Sequence, residues 1–196
     1  MKVCFFSLGC DKNKTDSEKV LSYLLKNYDI EIVGEPEEAD IAIVNTCSFI
    51  RDAKEESIST IKHLENIKKK TGLKVLLMGC LTNDKSVNLL KIIKKDDVIL
   101  PIDKYLSDLY NVDDRIMNVL SFSSSIKISD GCDKNCSYCI IPKLRGSYKS
   151  NTIDNIYNEA KKLVDGGTRE LNIVAQDTLN YGIDIYHKRS IVPLIK

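Results

Sequence analysis

Residues 41–47 read Ile-Ala-Ile-Val-Asn-Thr-Cys, an unbroken apolar run that stops at two polar residues and a cysteine. A short run of this kind reads as a strand buried on both faces. The pattern recurs at Val3–Leu8, which stops at Gly9-Cys10, and at Lys74–Met78, which stops at Gly79-Cys80. Thr15-Asp16-Ser17-Glu18 has capping-box spacing and predicts a helix start, with Val20, Leu21, Leu24, Leu25 and Tyr28 on one face. A longer helix is expected from Arg51 to Lys70, with Ile58, Ile61, Leu64 and Ile67 at helical spacing. Lys68, Lys69 and Lys70 suit its negative end, and Gly72 closes it. Ile30–Val33 reads as a short edge strand. A helix over about Asp84 to Lys95 and a strand at Val98–Leu100 complete the unit.

Continuous apolar strands alternating with helices predict an α/β fold with a doubly wound parallel sheet. In such a sheet the carboxy ends of the strands share one edge, where ligands bind. Cys10, Cys47 and Cys80 each follow a strand end, so they are candidates to converge. The plainer alternative is three unrelated buried thiols, since free cysteine is among the most buried residue types.

The 196 residues are 43% hydrophobic and 29% charged, enough for a core and against disorder. Net charge is +1, with 18 basic and 20 acidic residues up to Ser121 and 11 and 8 beyond it. Neither part is a basic nucleic-acid module on charge alone. No apolar run approaches the roughly 20 residues of a membrane span, and the amino terminus lacks a signal-peptide pattern. Seven cysteines cannot all pair as disulfides, and the chain is expected to be cytoplasmic with free thiols.

Asp103–Asp114 reads as a short helix and a polar turn. The serine-rich stretch Ser121–Ser125 marks the expected boundary between domains at 1–121 and 122–196. Beyond it come a strand from Ile126, a loop over Ser129–Ser150, and a helix capped by Asn151 or Thr152. That helix should turn Ile153, Ile156, Tyr157, Ala160 and Val164 inward. A second strand follows at Glu170–Ala175. The loop holds Cys132, Cys136 and Cys139 in the spacing C-x3-C-x2-C. Three clustered thiols are soft donors, suited to zinc, cuprous ion or iron–sulfur iron. Structural zinc wants a fourth ligand, and neither His63 nor His187 has zinc-site spacing. A 4Fe–4S cluster on three cysteines keeps one iron free for a substrate or cofactor. Zinc stays open at this point.

C-x3-C-x2-C with an aromatic residue, Tyr138, before the last cysteine resembles the signature of radical S-adenosylmethionine enzymes. SLGCDKNKTDSE, NTCSFI, GCL and SDGCDKNCSYCIIPKLRG together resemble the radical S-adenosylmethionine methylthiotransferases. LGCDKN and ELNIVAQDTLNYG look most like the ribosomal-protein (RimO-type) branch. The resemblance implies two 4Fe–4S clusters, an auxiliary one on Cys10, Cys47 and Cys80 and a second on Cys132, Cys136 and Cys139. S-adenosylmethionine would bind at the second, with Tyr138 near it, and be cleaved there to a 5′-deoxyadenosyl radical.

The implied reaction adds a methylthio group to the β-carbon of an aspartate in a small-subunit ribosomal protein. An electron donor such as a flavodoxin or ferredoxin would serve it. Alternatives are a tRNA adenosine methylthiotransferase or an inactive iron–sulfur-binding fragment. Arg145 reads as an active-site neighbour or a surface loop cation, and Cys4 matches no ligand position. A full (β/α)8 barrel needs about 250 residues. The expectation is therefore an amino-terminal domain followed by an incomplete radical SAM barrel, without the family's carboxy-terminal TRAM domain. The first domain is expected to fold alone and the second to be marginal, with proteolysis after about Ser121.

Overall fold

The computed structural model describes residues 1–94, 96–110, 112, 115–116 and 122–196. The chain runs β1 (Lys2–Ser7), α1 (Asp11–Asn27), β2 (Glu31–Ile32), β3 (Ile41–Thr46), α2 (Arg51–Thr71), β4 (Lys74–Gly79), β5 (Val98–Ile99) and α3 (Ile102–Tyr110). It continues with β6 (Ser123–Lys127), β7 (Ser129–Asp130), α4 (Ile141–Arg145), β8 (Lys149–Ser150), α5 (Ile153–Asp165), β9 (Glu170–Val174), α6 (Ile183–Tyr186) and α7 (Ile191–Ile195).

The first five strands form one parallel sheet in the order β2-β1-β3-β4-β5. Alternate residues of each strand point to opposite faces. Cys4, Ala42, Val44, Val75 and Leu77 face α2, where Ile61, Leu64 and Ile67 meet them. Val3, Ile43 and Met78 face α1 and α3, meeting Val20, Leu24, Ile102, Tyr105 and Leu109. Helices on both faces explain why the strands are apolar throughout, and they make the sheet doubly wound as expected. Gly72 ends α2 in the left-handed region at φ 75°.

The second segment pairs β6 with β9 in parallel and β7 with β8 antiparallel. Ile126, Ile128, Ile156 and Tyr181 form its small core. This is the start of a β/α barrel rather than a closed one. The hydroxyl of Thr152 accepts the Asn155 N–H and caps α5.

Several local expectations are corrected. α1 begins at Asp11, so Thr15 lies inside it and its hydroxyl bonds back to the Asp11 carbonyl instead of capping. Leu25 and Tyr28 are exposed, as are Tyr157 and Val164 on α5, where Leu163 turns inward instead. No α-helix occupies the described part of 84–95. Asp84 takes the Ser86 N–H and Asp97 takes the Lys94 N–H, which favours turns there. β6 starts at Ser123, inside the serine stretch, because Ser123–Lys127 align with Glu170–Val174. The 129–150 loop contains β7, α4 and β8. The expected turn beyond α3 and Ser121 itself fall largely or wholly outside the described residues.

Candidate metal centre at the carboxy edge of the sheet

The three strand-end cysteines line one cavity of about 920 Å³. Its walls come from both segments. Gly9, Cys10, Cys47 and Cys80 belong to the sheet edge, while Arg145 and Gln176 belong to the second segment. Strand order reverses between β1 and β3, which is where doubly wound sheets open their ligand crevice.

Local structure fixes each cysteine differently. Cys10 is the exposed N-cap of α1, at the positive end of a 17-residue helix. Cys47 is buried, and the Ser57 hydroxyl lies 2.9 Å from both its N–H and its carbonyl oxygen. Gly9, at φ 89°, allows Cys47 to come this close, since a Cβ there would lie 2.5 Å from the Cys47 Cβ. Gly79 does the same before Cys80, where a Cβ would lie 2.3 Å from the Thr46 carbonyl oxygen. Asn13 ties the strand ends together, donating to the Leu8 carbonyl at 3.0 Å and the Thr46 carbonyl at 2.9 Å.

Cys80 is buried, and Arg145 Nε donates to its Sγ at 3.2 Å. Burial pushes the Cys80 thiol up, and the charge and hydrogen bond of Arg145 oppose that rise. Arg145 is 4% exposed, so the surface-loop reading of this residue is wrong. It donates to Asp16 at 3.1 Å, to Asp130 at 2.8 Å and to Asn13. Lys127 bonds the same two carboxylates, Asp16 and, at 2.9 Å, Asp130. Two cations and two anions thus neutralise one another in a buried interface. Burial alone would raise Asp130, but Lys127 and Arg145 outweigh it and hold the carboxyl at about 2.

The second cysteine set is built otherwise. Cys132 is buried, Cys139 is half-buried and Cys136 is exposed. The Cys132 N–H bonds the Gly146 carbonyl at 3.1 Å, and the Cys139 N–H bonds the Cys136 carbonyl at 3.0 Å. Lys134 pairs with Asp177 at 2.8 Å. Tyr138 is 90% exposed. None of these three cysteines lines the sheet-edge cavity. Among the described residues, no three His, Cys, Asp or Glu side chains already gather around a point suited to a single metal ion. All seven cysteines are free thiols. Cys4 is buried in β1 against the Gly34 carbonyl, away from both sets. His63 and His187 are exposed.

The polar partners of Arg145 were not singled out by the sequence reading. Asn13 and Asp16 precede Val20 and Leu24 at helical spacing on the same side of α1, one or two turns nearer its amino end. Asp16 reaches the second segment there, as does Lys19, which pairs with Glu159 at 2.7 Å.

A doubly wound sheet edge with three thiols, joined to a β/α segment with a three-cysteine loop, defines a two-part thiol-bearing α/β protein. Residues 2–101 match the uncharacterized protein family UPF0004, and residues 126–193 match the radical SAM superfamily. The chain belongs to the UPF0004 family and corresponds to the amino-terminal portion of RimO-type methylthiotransferases.

The ribosomal protein uS12 methylthiotransferase RimO of Clostridium acetobutylicum is 40% identical over 219 residues, covering 100% of this chain and 49% of that protein. The RimO of Lachnoclostridium phytofermentans is 40% identical over 221 residues, covering 100% and 50%. That of Clostridioides difficile is 40% identical over 219 residues, covering 100% and 49%. The chain spans about half the length of the curated relatives it matches. No helix among the described residues is long and apolar enough to cross a membrane.

Proposed function

We propose that the chain is the cluster-binding half of a radical S-adenosylmethionine methylthiotransferase acting on a small-subunit ribosomal protein. The observation that carries this reading is the cavity shared by Cys10, Cys47, Cys80 and Arg145. Soft sulfur donors beside a guanidinium suit an anionic, thiolate-bound 4Fe–4S cluster better than a hard cation. Cys10, Cys47 and Cys80 would hold an auxiliary cluster. Cys132, Cys136 and Cys139 would hold a second, with Tyr138 beside S-adenosylmethionine. When bound, the second cluster would supply the electron that cleaves S-adenosylmethionine, and the auxiliary one a site for the sulfur to be transferred.

The chain's own residues have distinct tasks in this scheme. Ser57 and Asn13 hold the strand ends that present Cys47 and Cys10. Leu8, Ile50 and Ile141 give the cavity apolar wall, which favours keeping water from a reactive radical. The proposed domain division is 1–121 and 122–196. The relatives' names favour a protein substrate, the ribosomal protein uS12, over tRNA. The cytoplasm and a flavodoxin or ferredoxin donor complete the proposal.

The test is anaerobic loading of the purified chain with iron and sulfide, followed by iron analysis and assay of 5′-deoxyadenosine. The expected result is two clusters' worth of iron, falling to one when either cysteine trio is replaced by alanine. Deoxyadenosine formation should vanish only with loss of the Cys132 trio. A chain that stays colourless and iron-free would overturn the reading.

A further inference from the structure

Arg145 lies just beyond the second cysteine loop, yet its side chain reaches into the first segment. α4 carries it there. Leu144, 1% exposed, packs with Met78, Cys80, Ile102 and Tyr105 in the core of the first sheet. The Leu144 carbonyl accepts from Asn83 at 3.1 Å, and Asn83 ends the 3-10 turn that Cys80 begins. Arg145 itself donates to Cys80 Sγ.

On its other side the same guanidinium bonds Asp130, two residues before Cys132. The next carbonyl, that of Gly146, accepts the Cys132 N–H. One residue and its neighbours therefore touch the turn carrying Cys80 and the root of the loop carrying Cys132. A planar guanidinium with five donors can serve a thiol, two carboxylates and an amide at once, whereas an ammonium has three donors and no fixed fork.

We infer that Arg145 is a positioning residue that sets the spacing between the two thiol sets, holding Cys80 from one side and the base of the Cys132 loop from the other. Only the second of the two readouts below rests on the proposed cluster sites.

The first readout is amide hydrogen exchange on the full chain without metal, comparing wild type, Arg145→Gln, Arg145→Lys and Lys19→Ala. Lys19 bridges the same two segments through Glu159 but bonds no cysteine, so its variant reports general loosening. Arg145→Gln should speed exchange about tenfold in 79–83 and in 131–146 together, as expected when a buried charge-assisted bond is lost. Lys19→Ala should not produce that paired change. Faster exchange in 131–146 alone, or the same pattern in Lys19→Ala, would overturn the inference. If Arg145→Gln does not fold, Arg145→Lys keeps the charge and loses the fork. It should show the same paired rise, and wild-type exchange would count against us.

The second readout uses a chain with Cys132, Cys136 and Cys139 changed to alanine, loaded with iron and sulfide and reduced. Arg145→Lys should shift the electron paramagnetic resonance signal of the remaining site, and an unchanged signal would overturn the inference. A wild-type chain that takes up no iron would remove the proposed function and leave the exchange experiment to decide Arg145.

Discussion

The two thiol sets reach their positions by opposite routes. Cys10, Cys47 and Cys80 come from three strand ends spread over 70 residues, and only the parallel sheet brings them to one cavity. Cys132, Cys136 and Cys139 lie within eight consecutive positions on one loop, tied at its root by Asp130 and Gly146. The first set depends on long-range topology, and the second on a short piece of chain. The first should therefore fail with the fold, and the second with its anchor.

Asp130→Ala offers the strongest way to break this contrast. It takes from Lys127 and Arg145 one of the two carboxylates they share, and it also removes acceptors from the Gly131 N–H and Gln176. Breaking a buried pair by deleting one partner costs about 3–5 kcal/mol. Chemical denaturation of the full chain should show that loss. A change within experimental error would mean the interface charges are solvated rather than buried.

Gly9→Ala tests the topological set alone. The left-handed conformation costs a non-glycine residue roughly 1–2 kcal/mol, and the new methyl would collide with Cys47. The expected outcome is lower stability and loss of iron from the Cys10 trio with the Cys132 trio still loaded. Equal loss from both sets, measured by iron analysis, would erase the distinction between them.

The smallest effect concerns pH, and it lies away from both thiol sets. Burial and the adjoining Asp97 carboxylate push Glu65 up to about 7. A carboxyl raised in the fold holds its proton more tightly there than in the unfolded chain. Its stabilising contribution is complete below the unfolded value near 4.5 and is lost as pH rises through about 7. Asp97 works in the other direction. Burial is outweighed by its bonds from Glu65 and Lys68, so its pKa is lowered and its contribution is lost toward acid. Glu65→Gln should raise the Tm at pH 8 by a few degrees and leave it nearly unchanged at pH 5. Thermal unfolding at the two pH values checks this, and parallel shifts at both would contradict it.

The parts of the molecule legible in the sequence were those with a strong apolar signal. Val3–Leu8, Ile41–Val44 and Lys74–Met78 form strands with helices packed on both faces, and a run of apolar residues can mean little else once helices alternate with it. α2 was legible for the same reason, because Ile58, Ile61, Leu64 and Ile67 keep helical period over about two and a half turns. The start of α1 was hidden because Asp11–Lys19 contains no apolar residue to carry a period. Asn13 and Ser17 are buried against the ends of β1 and β3, and Asp16 and Lys19 against the second segment, and buried polar residues of this kind look like a solvated face. Arg145 was obscure for a related reason. A single arginine on a loop carries no pattern, and only the fold reveals that Asp16, Asp130 and Lys127 surround it. Turns stand over 84–94 in place of the expected helix because side-chain bonds from Asp84 and Asp97 outweigh a weak apolar spacing.

The mixed origin of the buried quartet has a consequence for biosynthesis. Asp16 comes from the first segment, while Lys127, Asp130 and Arg145 come from the second. Translation delivers Asp16 to the tunnel exit 111 residues ahead of Lys127, and domains fold amino-terminal part first. Until the later residues emerge, hydration is the cheapest environment for that carboxylate, so α1 keeps its polar side wet. Closure of the cavity wall is thus timed by elongation, and a stalled nascent chain would present Cys80 without its guanidinium neighbour.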